Sequence, residues 1–97
     1  MRMLLKAHMD TRKANEGNQD GTLPERLGQL LDRLQPEAAY FYPENGKRTV
    51  FVVFDMQDPS QIPPTLEPLF QGGEASVSLT PVMTREDLQY GVQEAYG

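Results

Sequence analysis

The chain has 97 residues, which is enough for one domain and one hydrophobic core. A net charge of −5, with its nine Lys and Arg scattered, leaves no basic stripe for nucleic acid or an anionic membrane. The absence of cysteine and the single histidine exclude disulfides, thiolate chemistry and a multi-histidine metal centre within one chain; neither metal nor cofactor is expected.

Met3, Leu5, Ala7 and Met9 alternate with Leu4, Lys6 and His8, which predicts a first strand with one clean apolar face. Lys6 and His8 interrupt the opening apolar run, which is too short for a signal segment, and no window approaches a membrane span. A cytoplasmic protein without a membrane partner is therefore expected. Residues 10–21 are polar, a loop or a short and poorly anchored helix closed by Gly21. From Thr22 the signals are helical: Thr22 as cap, Glu25 completing a capping box, Pro24 in the first turn. Leu27, Leu30, Leu31 and Leu34 then form one stripe, and Pro36 ends the helix.

Ala38–Tyr42 and Thr49–Met56 read as strands two and three, joined through Asn45-Gly46, the sequence of a two-residue hairpin turn. That turn predicts the pairs Glu44–Lys47, Tyr42–Thr49, Tyr40–Phe51 and Ala38–Val53 on one face, and Phe41–Val50 and Ala39–Val52 on the other. Asp58 caps a second helical segment with the stripe Ile62, Leu66, Leu69, Phe70, shortened or bent by Pro63, Pro64 and Pro68 and stopped at Gly72-Gly73. Ala75, Val77 and Leu79 alternate with Ser76, Ser78 and Thr80 in a fourth strand, which Pro81 assigns to an edge. Thr84, with Asp87 three residues on, starts a short C-terminal helix carrying Leu88, Tyr90, Val92 and Tyr96.

The order β-α-β-β-α-β plus a terminal helix is that of a split β-α-β, ferredoxin-like α+β domain. Right-handed crossovers give a four-stranded antiparallel sheet of order 4-1-3-2 with the helices on one face. Residues 1–97 form this single domain, with 84–97 as a C-terminal helical extension. Met3, Leu5, Ala7, Val50, Val52, Phe54, Val77 and Leu79 should meet the leucines of the first helix and Leu66, Leu69 and Phe70 of the second.

The third strand raises a question that the helices do not answer. Val50 to Phe54 is apolar without a break, so the face turned from the helices also carries large apolar groups. Leu4, Lys6, His8, Tyr40, Tyr42, Phe51, Val53, Asp55, Ser76, Ser78 and Thr80 belong to that face. Burying each large apolar side chain there is worth about 1.5–3 kcal/mol, and an exposed patch of this kind marks an interface. A second copy of the sheet is the economical cover, giving a homodimer; the rival cover is the C-terminal helix folded across its own sheet.

Such a face, apolar with a few convergent polar groups, suits a small-molecule ligand. The candidate pocket is Leu4, Tyr40, Tyr42, Phe51, Val53 and Ser78. His8, Lys6 and Asp55 are the candidate catalytic groups: desolvation would lower the pKa of His8 or Lys6 and fit either as a general base, whereas Asp55 close to Lys6 would hold it charged. The same residues have a structural reading: a satisfied strand histidine, an ion pair that sets register, tyrosines that pack an interface, and a solvated hydroxyl ladder.

The pattern over residues 3–83 resembles the dimeric α/β-barrel superfamily, in which small ferredoxin-like chains pair their sheets into a barrel. The strings "GTLPERLGQLL", "PEAAYFYPENGKRTVFVVFDMQDPSQIP", "EPLF" and "PVMTREDL" are similar to a group of short uncharacterised bacterial proteins of that type. The resemblance implies a homodimer and admits cofactor-free monooxygenase or isomerase chemistry with His8 as base, but it brings no assigned activity. Haem-degrading members also use Trp, which this chain lacks, and its one histidine lies on the first strand, so haem is not implied. Two functions compete: a homodimeric module holding a small, partly apolar ligand between its sheets, and a cofactor-free enzyme acting there through His8. A partner docking on an exposed strand edge is a third, which Lys47, Arg48 and Pro81 oppose.

Overall fold

The computed structural model describes residues 1–97, Gly73 by its backbone alone. Its elements are β1 (Arg2–His8), α1 (Thr11–Asp20), α2 (Thr22–Leu34), β2 (Ala38–Glu44), β3 (Lys47–Asp55), a 3-10 turn over Pro59–Gln61, α3 (Ile62–Gly73), β4 (Ser76–Pro81) and α4 (Arg85–Tyr96). The strands form one sheet of order β2-β3-β1-β4, the expected arrangement read from its other edge, with antiparallel neighbours throughout. The hairpin has the anticipated register, from Glu44↔Lys47 to Ala38↔Val53. Asn45 at φ 53° and Gly46 at φ 76° form the turn that sets it.

The core lies between the sheet and α1–α3. Met3, Leu5 and Ala7 of β1 and Val50, Val52 and Phe54 of β3 are buried against Leu23 and Leu30 of α2 and Leu69 of α3. Val77, Leu79 and Leu66 pack around this centre half-buried. Phe70 differs from expectation: it is 44% exposed, because Leu69 and Thr65 hold the buried line of α3.

Near the first crossover the structure settles one alternative and changes one expectation. Of the loop or short helix expected before Gly21, residues 11–20 are a helix, capped by Asp10, whose carboxylate accepts from the Lys13 N–H at 3.0 Å. Ala14 and Gly17 are its buried residues. Thr22 is not the cap of α2. α1 runs up to Asp20, so the junction has only Gly21, left-handed at φ 81°, and Thr22 already lies in the next helix. Its hydroxyl donates back to Asp20 Oδ1 at 2.6 Å, which with the Thr22 N–H holds that carboxyl below its ordinary pKa.

Asp58 behaves as expected, accepting from the Ser60 N–H at 2.8 Å, and Thr84 with Asp87 forms a reciprocal capping box on α4. That last helix does not cover its own sheet, since none of its residues is buried. The radius of gyration is 15.4 Å and the longest dimension 55 Å, where a compact chain of this length has a radius of about 12–13 Å. α4 is an arm.

The tight point of the helical layer is Gly17, where an added Cβ would stand 2.8 Å from the Cβ of Leu23. Gly17→Ala is expected to cost about 1–3 kcal/mol in urea unfolding, as overpacking does. Gly28→Ala in α2, where an added Cβ meets open space, should stabilise by about 0.5–1 kcal/mol in the same measurement.

Candidate functional site on the open sheet face

The face opposite the helices belongs to alternate residues of all four strands. Its waist is apolar: Leu4, Ala38, Phe51 and Val53 are half-buried, and Tyr40 is 62% exposed. The rings of Tyr40 and Phe51 sit 6.3 Å apart at 54°, a tilted cross-strand aromatic pair. Ser76, Ser78 and Thr80 of edge strand β4 lie exposed along one side, in register with His8, Lys6 and Leu4.

Each end of this waist is polar. At the hairpin end, Glu44 reaches across β3 from β2 and collects two groups of β1. Its Oε2 lies 2.8 Å from Lys6 Nζ and 3.2 Å from His8 Nε2. Neighbouring strands are about 4.8 Å apart, so two long side chains are needed to bridge from β2 to β1 over β3. The small residue between them is Thr49, paired with both His8 and Tyr42 and only 2% exposed. Its Oγ1 lies 3.1 Å from His8 Nδ1 and donates to the Lys47 carbonyl at 3.2 Å. At the far end, Asp55 holds the N-terminal ammonium at 2.6 Å, and Arg2 donates to Glu37.

This arrangement brings Lys6 and His8 together and leaves Asp55 out. Lys6 pairs with Phe51 across the β1–β3 ladder, whereas Asp55 pairs with Arg2, so they stand at opposite ends of the face. The partner of Lys6 is Glu44, whose hydrogen bond and charge raise the ammonium pKa above its usual 10.5 against the opposing effect of burial. Glu44 thus takes the charge-holding role that the sequence offered to Asp55. His8 keeps both ring nitrogens engaged. To accept a proton from a bound molecule it would have to release Thr49 or Glu44 first. The pocket residues Leu4, Tyr40, Tyr42, Phe51, Val53 and Ser78 all lie on this face, with Tyr42 beside the cluster.

Glu44 and Thr49 are the members that the sequence reading passed over. The signal for Glu44 was present in the alternation Tyr40, Tyr42, Glu44, which continues onto the same face.

A separate cleft lies on the helical side, behind edge strand β2. It has a volume of about 360 Å3 and is lined mainly by Met9, Leu23, Leu27, Phe41 and Val50, with Arg48 at its margin. Phe41 is 54% exposed there.

Because its folded pKa is raised, Lys6 contributes stability that is full below about pH 10.5 and disappears as pH rises through the folded value. Glu44→Gln should lower the Lys6 pKa, read from its side-chain NMR signals, and flatten the alkaline fall in stability.

No protein-family model matches the chain, and no curated protein matches it. Among solved structures it is similar to the de novo designed protein Ferredog-Diesel, at 13% sequence identity and a TM-score of 0.52, over 84% of this chain and 85% of that one. At such identity the likeness is one of fold, and it accords with a small ferredoxin-like α+β domain. No helix among the described residues is long and apolar enough to cross a membrane.

Proposed function

We propose that the protein is a homodimer, built sheet to sheet through the open face, that holds a small, partly apolar ligand between the two sheets. One observation carries this reading: Leu4, Tyr40, Phe51 and Val53 form an apolar waist that no helix of the chain covers. A second sheet related by a two-fold axis would cover waist with waist. It would enclose a space with apolar walls and the Lys6–Glu44–His8 cluster at one end, the usual make-up of a small-molecule site. The resemblance to dimeric α/β-barrel proteins of bacterial type supports the same association, and a cytoplasmic setting goes with it.

The rival reading, cofactor-free monooxygenase or isomerase chemistry with His8 as general base, uses the same chamber. It requires substrate to displace one of the two partners of the imidazole, and His8→Gln separates the readings. A ligand-holding module keeps its binding within a few fold in that variant, whereas an enzyme of this kind loses turnover altogether.

Association itself is tested by sedimentation at micromolar concentration, where the wild type should run at twice the 10.9 kDa of one chain. Phe51→Lys, which places a charge in the middle of the waist, should run as single chains while keeping the circular dichroism of the fold. Wild-type chains sedimenting singly would end the reading.

A further inference from the structure

We propose that the cleft behind β2 is a second binding site, for a small monocarboxylate with an apolar tail whose carboxylate is held by Arg48. The cleft lies on the helical side of the sheet, so the site is independent of whether a second copy covers the open face.

The floor of the cleft belongs to the core. Met9, Leu23 and Val50 are each at most 3% exposed, and Leu27 and Phe41 continue the apolar lining outward to solvent. Pairing with Val50 turns Phe41 to the helical side, yet the ring keeps more than half of its surface in water. At about 360 Å3 the cleft is within the size range of small-molecule sites, near its lower end. Its occupant is therefore small, one ring or a short acyl chain.

Charge selects the head group. Two residues beyond Phe41 and Val50, Pro43 pairs with Arg48 on the same face and brings the guanidinium to the rim. Arg48 is the one charged residue that lines the cleft, and among the described residues it enters no ion pair. Elsewhere acids accompany the cations. The cleft between α2 and α3 sets Glu67 beside Arg26 and Arg33, and the one at the far end of β3 sets Asp55 beside Arg33. Arg48 instead donates to the side-chain oxygen of Asn15, a neutral acceptor that positions the guanidinium without cancelling its charge. Its other N–H donors remain for a ligand. Asn18 lies three residues on, along the same face of α1, and adds an amide to the lining. A carboxylate here accepts from the Arg48 fork and from Asn18, while its tail displaces water from Leu27 and Phe41.

The neighbouring strand edge opposes a peptide as occupant. β2 is an edge strand, and Pro43 lies in it at the level of Arg48. A strand added along β2 would meet a residue with no N–H just where the cleft opens.

The test is a methyl NMR titration of the whole chain with hexanoate, octanoate and 1-octanol, each kept below the concentration at which it aggregates. Octanoate should shift the methyl signals of Leu23, Leu27 and Val50. It should bind about tenfold more tightly than hexanoate, since each buried methylene is worth about three- to fourfold. It should also bind about tenfold more tightly than 1-octanol, through the charge-assisted hydrogen bonds. Arg48→Met keeps the apolar stem at an exposed position, and should bring octanoate and 1-octanol to nearly equal affinity. The inference is overturned by shifts confined to Leu4 and Val53 of the open face, by no shifts at all, or by a carboxylate preference that survives Arg48→Met. None of these results bears on the dimer, which sedimentation decides separately.

Discussion

The antiparallel pairing of β1 with β3 is the constraint on which the rest depends. These two strands form the centre of the sheet, and on the helical side Met3, Leu5, Ala7, Val50, Val52 and Phe54 are all buried. Alternation then sends Leu4, Phe51 and Val53 to the other side. In a half-solvated sheet those positions would be polar. Here they are apolar, and α1–α3 are all spent on the first face. The central strands are composed for burial on both sides, and one domain supplies one cover.

Local chemistry accounts for what was legible in the sequence. Asn45-Gly46 admits positive φ at both positions, so one dipeptide determined seven cross-strand pairs. Pro81 lacks an N–H for a ladder and accordingly sits on edge strand β4. Thr84 and Asp87 satisfy each other's backbone donors whatever the rest of the chain does. The readings that failed depended on relations between elements. Thr22 has the composition of a cap, but a helix directly before it leaves only Gly21 at the junction. Phe70 fits the apolar stripe of α3, yet the inward line is taken by Thr65 and Leu69.

The candidate site shows the same division. Assigning Lys6 and His8 to the open face required only alternation along one strand. Finding Glu44 required knowing that a side chain on β2 passes over a third strand, and that the residue beneath it is small. Thr49 meets that condition, and Asp55 could not have served in place of Glu44. Its level is that of Arg2, six residues along β1 from His8, so no side chain bridges the distance. Sequence separation and shared face are poor guides to which carboxylate a cation finds; strand level is the better one.

Polar ends around an apolar waist have a consequence for any body that closes over this face. The waist supplies the drive and tolerates sliding, because apolar contact has little directional preference. The ends do not tolerate it. Lys6, Glu44 and His8 are about a third exposed as they stand, and covering them removes water that completes their hydration. An apolar surface shifted over them would leave charge desolvated without compensation, whereas one seated on the waist leaves both ends at the solvent margin. For a body of that kind, the cluster at the hairpin and the Met1–Asp55 and Arg2–Glu37 pairs at the other end would act as stops. They would contribute little to its affinity and much to its register, a structural use for the Lys6–Glu44–His8 cluster that needs no ligand.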